Sequence, residues 1–247
     1  MGTARIVLGD GAATTVHVAA YPTPRFTLGV VRLSRPTPLP AFCAATGQPD
    51  AIVGGFYVRP HGTPLGELRT HGVQRSSVPF DAPWAGRRAC VHVEGGAVRI
   101  ARRDGLAAEP VGDLLQAGPL LVRGGAAIAG DDEGFSAGSH QFDSDITDGR
   151  HPRAALGAAD GRLLAVACDG RADDEAGLTL AELAAVMLAL GAQDALNLDG
   201  GGSTSLVCGG VLRNRPREAH GIEIGAGRAV STALVFTPRP AEQVTTS

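Results

Sequence analysis

Lysine is absent from this 247-residue sequence, so that all 22 basic residues are arginine. The absence excludes the chemistries that need a lysine amine: lysine Schiff-base catalysis, lysine-held pyridoxal phosphate, and the lysines of phosphate loops and kinases. Any phosphate must be held by other groups. Blocks of like charge are missing too, and with a net charge of −3 and a pI near 6.1 the chain carries no electrostatic footprint for nucleic acid or an anionic membrane. No segment approaches the length of a membrane span. The apolar run Ile6-Val7-Leu8 stops at Gly9-Asp10, too short for a secretory signal core, so the expectation for the chain as numbered is a cytoplasmic protein. Only four cysteines occur, Cys43, Cys90, Cys168 and Cys208, none in a paired C-x-x-C spacing, and they read as reduced thiols in apolar runs. The seven histidines show no ligand spacing, which argues against zinc.

What remains is an ordinary globular composition, 44% hydrophobic and 19% charged, with 35 glycines and 16 prolines. The length supports a sizeable core without staples and is read as one domain over residues 1–247. Short apolar runs punctuated by glycine and proline (RIVL, TVHVAAY, FTLGVVRL, AIVGGFYV, ACVHVEG, VRIA, PLLV) predict antiparallel strands through the first half. Residues 34–40 (SRPTPLP) suit either a linker or a proline-rich excursion within the domain. Residues 130–151 form a long polar loop whose Asp131, Asp132, Glu133, Asp143, Asp145 and Asp148 could supply oxygen ligands to calcium, although their spacing is not that of a calcium loop. No cofactor is otherwise expected. His140 and His151 flank this loop as candidate proton shuttles, with a surface role the simpler reading.

The last hundred residues carry a strand-helix-strand pattern. Arg162 to Cys168 (RLLAVAC) is a continuous apolar run that suits a central strand buried on both faces. Thr179 and Glu182 form a capping box opening a helix from about Leu180, and Gly191 is placed to end it. Asp194 to Leu198 (DALNL) reads as the next strand, running the same way as the first. The expected fold is therefore α+β or mixed α/β, antiparallel-rich, with this C-terminal unit carrying a site at its strand ends.

Two turns follow these strands, Asp169-Gly170-Arg171 and Asp199-Gly200-Gly201-Gly202-Ser203-Thr204. Three successive glycines let amides turn inward and a ligand approach the main chain, which favours an anion, and Ser203 and Thr204 add hydroxyls. Asp199 beside such a nest is awkward unless it performs chemistry or pairs with arginine. Arg171 and Arg153 are the nearest candidates, and an arginine fork takes two phosphate oxygens at once. Either turn alone is more often just a turn. Together they favour a site.

The stretches HPRAALGAADGRLLAVACDGR, GLTLAELAAVMLALGAQDALNLDGGGSTSLV, LRNRP and GRAVSTALVF resemble the phosphodiester glycosidase domain. AIVGGFYV, GTPLGELRTHG and QAGPLLVRGG extend the resemblance over residues 50 to 236. Three positions depart from the family pattern: Gly54 stands where asparagine is usual, Ala154 where threonine often follows the arginine, and Arg217 where serine often follows N-R-P.

The resemblance implies a hydrolase that cleaves the glycosidic C–O bond of a small sugar-1-phosphodiester, in a bacterial setting. A phosphate monoester leaves readily, so arginine can replace a strong general acid. Asp199 and Asp169 are the candidate carboxylates, Arg171 and Arg153 the candidate cations, and Gly200, Gly201, Gly202, Ser203, Thr204, Gly55 and Phe56 the candidate binding positions. Phe56 and Tyr57 could stack on a sugar, but in an apolar strand they read first as core. Two alternatives stay open: a phosphodiesterase breaking the P–O bond, and a sugar-phosphate binder without turnover.

Overall fold

The computed structural model describes residues 1–82, 84–128 and 149–240. The acidic loop proposed for calcium, with His140, lies outside the described residues. Among the described residues no cluster of three or more His, Cys, Asp or Glu is placed to hold a metal ion.

Every described strand pair is antiparallel. The first sheet has seven strands in the order β1 (Gly2–Val7), β2 (Ala13–Pro22), β15 (Arg162–Cys168), β14 (Arg153–Ala159), β16 (Ala192–Asn197), β12 (Leu120–Arg123) and β13 (Ala126–Ala127). The second has five: β10 (Ala97–Arg102), β9 (Ala89–Glu94), β11 (Asp113–Gln116), β7 (Leu68–Thr70) and β8 (Val73–Gln74). The third runs β18 (Val211–Leu212), β17 (Leu206–Cys208), β4 (Ala51–Val53), β19 (Ala229–Pro238) and β3 (Phe26–Pro38). A short hairpin pairs β5 (Tyr57–Val58) with β6 (Thr63–Pro64). The helices are α1 (Leu39–Thr46), α2 (Trp84–Arg87) and α3 (Leu180–Ala189).

The apolar run of β15 has a two-sided explanation. Leu163, Ala165 and Ala167 join the large core shared by all three major sheets, while Leu164, Val166 and Cys168 face the smaller core under α3. Both faces are covered, so alternation disappears. The helix opens with the capping box: Thr179 Oγ1 accepts from the Glu182 amide at 3.1 Å and Glu182 Oε2 accepts from the Thr179 amide at 2.8 Å. It stops at Gly191, whose φ of +85° lies in the left-handed region.

β15 and β16 do run the same way, but β14 lies between them and pairs with both. The unit is thus a helix-linked pair skipping one antiparallel strand, not a doubly wound neighbour pair. Residues 34–40 are not a linker either. They extend β3, at the edge of its sheet where proline removes no ladder bond, and lead directly into α1. All four cysteines are free, and Cys43, Cys90 and Cys168 are buried.

Candidate active site

At the end of β16 the chain crosses from the first sheet to the third. The Leu198 amide donates to Ala154 O at 2.8 Å, and the Asp199 amide donates to Gly54 O at 3.0 Å, just past the end of β4. Gly54 can sit there because it has no side chain: a Cβ would meet the Thr232 main-chain carbon at 2.8 Å and its Oγ1 at 2.4 Å. Thr232 of β19 fills that space and binds the Gly55 amide at 2.9 Å. The departure at position 54 therefore comes with close packing between β4 and β19. The Phe56 ring lies in a small core with Leu65 and Phe80.

Asp199 is 6% exposed. One carboxyl oxygen accepts from the Gly200 amide at 2.9 Å, and the other, Oδ2, is buried without a hydrogen bond among the described residues. Burial pushes this carboxyl up to about 6; the adjoining Ser203 hydroxyl, Arg228, the Gly200 amide and Arg59 offset only part of that rise. Ser203, Thr204 and Ser205 contribute three successive buried hydroxyls that also lack well-formed hydrogen bonds among the described residues.

The glycine turn holds four of its five amides, from Gly200 to Thr204, within the chain. Its amides are engaged within the chain: Gly200 by Asp199, Gly201 by Pro152 O at 2.8 Å, Ser203 by Gly200 O at 3.2 Å and Thr204 by Gly201 O at 3.1 Å. Of the three glycines only Gly201 has a left-handed φ, +60°. Gly202 serves closeness instead. The Glu218 carboxyl lies against it, its Cδ 2.9 Å from where a Cβ would stand, and Gly202 O accepts from the Arg228 amide at 3.0 Å.

Glu218 and Arg228 form a two-pronged ion pair, Nε to Oε1 at 2.6 Å and Nη2 to Oε2. The Arg228 guanidinium holds the Glu218 carboxyl below the usual range, with Arg59 and Arg171 adding to the effect. Burial works against the charge on Arg228, and Glu218 with Tyr57 more than restores it. Tyr57, half-buried, has its hydroxyl pushed up by burial and by the charge of Asp199, while Ser203 and Arg228 beside it pull the other way. Tyr57 thus belongs to the site by its hydroxyl and is not simply core.

Asp169 and Arg153 have other partners. Asp169 Oδ1 accepts from the Arg215 amide at 2.6 Å, and Oδ2 lies 3.2 Å from His17 Nε2, whose other ring nitrogen meets Thr3 Oγ1. Asn214 binds Thr204 O and the Leu206 amide, Arg217 Nη1 reaches Gly170 O at 3.4 Å, and Arg171 Nη1 reaches Arg217 O at 3.3 Å. The N-R-P segment is thereby bolted to both turns, one residue before it delivers Glu218. Arg153 is 1% exposed and donates from Nε to Leu178 O at 2.7 Å and from Nη2 to Gly149 O at 3.0 Å. These two bonds fix the buried guanidinium on main-chain carbonyls beside the start of β14.

The sequence reading missed Glu218, Arg228 and Arg59. No local spacing marks them, since they come from three separate segments. Arg228 stands in the GRAVSTALVF stretch and Glu218 directly after LRNRPR, so the resemblance touched both without singling them out.

A buried carboxyl with a raised proton affinity, a second carboxyl whose proton affinity is lowered, and nearby arginines form an arrangement suited to acid-base chemistry. The chain belongs to the phosphodiester glycosidase family, whose sequence profile matches residues 48–237. Solved structures agree in fold. The catalytic domain of zebrafish N-acetylglucosamine-1-phosphodiester alpha-N-acetylglucosaminidase, auto-inhibited by its pro-peptide, is similar with a TM-score of 0.71 and 18% identity over 96% of this chain and 82% of that one. A hypothetical protein from Synechocystis gives 0.67 and 20% over 96% of this chain and only 61% of its own length. A putative exported protein from Burkholderia pseudomallei gives 0.64 and 19%, over 92% and 74%. No curated protein sequence matches the chain.

Proposed function

We propose that the chain hydrolyses a small sugar-1-phosphodiester at its glycosidic C–O bond, releasing the free sugar and a phosphomonoester. The observation that carries this reading is Asp199, a buried carboxyl poised at about 6 with one oxygen unpartnered among the described residues, next to the Glu218–Arg228 pair. A general base works best with an affinity near the operating pH. Asp199 Oδ2 takes the proton of the attacking water, the water oxygen bonds to the anomeric carbon, and the electron pair of the breaking C–O bond goes to the phosphate oxygen. Arg228, oriented by Glu218, with Arg59 and Arg171, takes up the charge gathering on that phosphate. Tyr57 and Ser203 fix the approach to Asp199. Asp169 holds the N-R-P segment in place and does not touch the reacting atoms.

Hydrolysis in water enriched in heavy oxygen tests the bond assignment. Label in the sugar supports the glycosidase. Label in the phosphate replaces it with the phosphodiesterase reading. Calorimetric binding of sugar-1-phosphodiesters with no product from any of them would identify a binder without turnover.

A further inference from the structure

A cavity of about 1170 Å³ opens at the end of the first sheet opposite Asp199, where the β14–β15 turn meets the end of the β3–β19 pair. β15 starts here at Arg162 and ends at Cys168 beside the candidate active site, so its seven residues put roughly 20 Å between the two places. Arg25, Arg162 and Arg239 line the cavity, and no carboxylate is among its described lining residues. That is a local reversal in a chain with more acidic than basic residues, 25 against 22.

Asp160 and Glu94 adjoin the lining in sequence, and neither is ion-paired with these arginines among the described residues. Arg25 and Arg239 face each other across the strand pair: Phe26 and Pro238 are in register, and the Arg239 amide donates to Arg25 O at 2.8 Å. Like charges directly opposed in this way repel. Two of the guanidinium groups are held by neutral carbonyls, Arg239 by Thr23 O at 3.1 Å and Gly96 O at 3.4 Å, and Arg162 by Leu190 O at 3.2 Å. These bonds fix position without cancelling charge. The Arg25 side chain has no hydrogen bond or ion pair among the described residues. Gly96 lets the Arg239 group lie against the backbone, since a Cβ there would stand 3.0 Å from Nη2. Phe26 and Leu163 complete the wall with apolar surface.

We propose that this cavity is a second binding site, for a small molecule carrying two or more phosphate groups. Each guanidinium fork accommodates two phosphate oxygens, and the opposed Arg25 and Arg239 together exceed what one phosphate satisfies. The volume suits a ligand of nucleotide size. The site is independent of the proposed hydrolysis.

Titration calorimetry with tripolyphosphate tests it, on the wild type, Arg25→Glu, Asp199→Asn and Arg35→Glu. Arg35 is an exposed arginine of β3, the strand that Arg25 precedes, and does not line the cavity. One-to-one binding is expected, weakened by added salt and weakened about tenfold or more in Arg25→Glu with an unchanged melting temperature. Asp199→Asn and Arg35→Glu should bind like the wild type. No saturable binding at millimolar tripolyphosphate overturns the proposal. So does equal binding by Arg25→Glu, equal weakening in Arg35→Glu, or a changed affinity in Asp199→Asn, which would place the anion at the candidate active site.

Discussion

The carboxyl group of Glu218 occupies the space that a side chain at position 202 would need, with its Cδ and Oε1 each 2.9 Å from a Cβ there. Gly202 is therefore required for contact, not for torsion, because its φ lies outside the left-handed region. The glycine turn after Asp199 is what allows a second carboxyl, from 19 residues further along, to reach the same place.

Gly202→Ala should fold, since the flexible Glu218 side chain can yield. The displaced Glu218 drags Arg228 with it, and misplacement of about 1 Å costs on the order of 100-fold in turnover. Circular dichroism and kcat on a sugar-1-phosphodiester check both halves. Wild-type turnover would remove the Glu218–Arg228 pair from the mechanism.

Asp199→Asn should abolish turnover while raising stability at alkaline pH. The folded-state affinity, about 6, exceeds the ordinary 3.8, so the folded protein binds this proton more tightly than the unfolded chain does. The cost of ionising it is absent below pH 3.8, grows between 3.8 and 6, and is complete above 6. Two units correspond to roughly 3 kcal/mol. Thermal melts should show the variant several degrees more stable at pH 8 and the two proteins converging near pH 4.

Asp169→Asn should keep turnover within about tenfold, because its Oδ1 still accepts from the Arg215 amide. Asp169→Ala leaves that buried amide and His17 without an acceptor and should cost about 1–3 kcal/mol of stability, with kcat falling as the segment before Glu218 loosens. An inactive, well-folded Asp169→Asn protein would make Asp169 a catalytic group.

Arg171→Lys and Arg153→Lys should separate cleanly. Lysine at 171 cannot reproduce a fork on phosphate, so KM should rise with little change in melting temperature. Lysine at 153 loses donors to Leu178 O and Gly149 O in a buried place, so the melting temperature should fall first. The opposite pattern would make Arg153 a phosphate ligand.

The sequence revealed those features whose cause is local. The capping box at Thr179 and Glu182, the stop at Gly191 and the buried run of β15 each follow from a few adjacent residues, and so does the placement of Asp199 after a strand. Strand order does not: nothing near residues 162–168 or 192–197 announces that β14 inserts between them. The same limit hid Glu218, Arg228 and Arg59, which come from the segments after β18, before β19 and after β5. Which amides of the glycine turn stay available is likewise set by distant segments. Glycine spacing shows which amides could turn inward, but Pro152, from a distant segment, had already taken that of Gly201.

The pH dependence of kcat/KM for the wild-type protein is the most direct measurement of the central claim that Asp199 works as a carboxylate. The account predicts activity rising with pH through about 6, as the Asp199 proton is lost, and no such rise in any residual activity of Asp199→Asn. Activity that instead falls as pH rises through 6 would make Asp199 a proton donor, and a flat profile there would remove it from the chemistry.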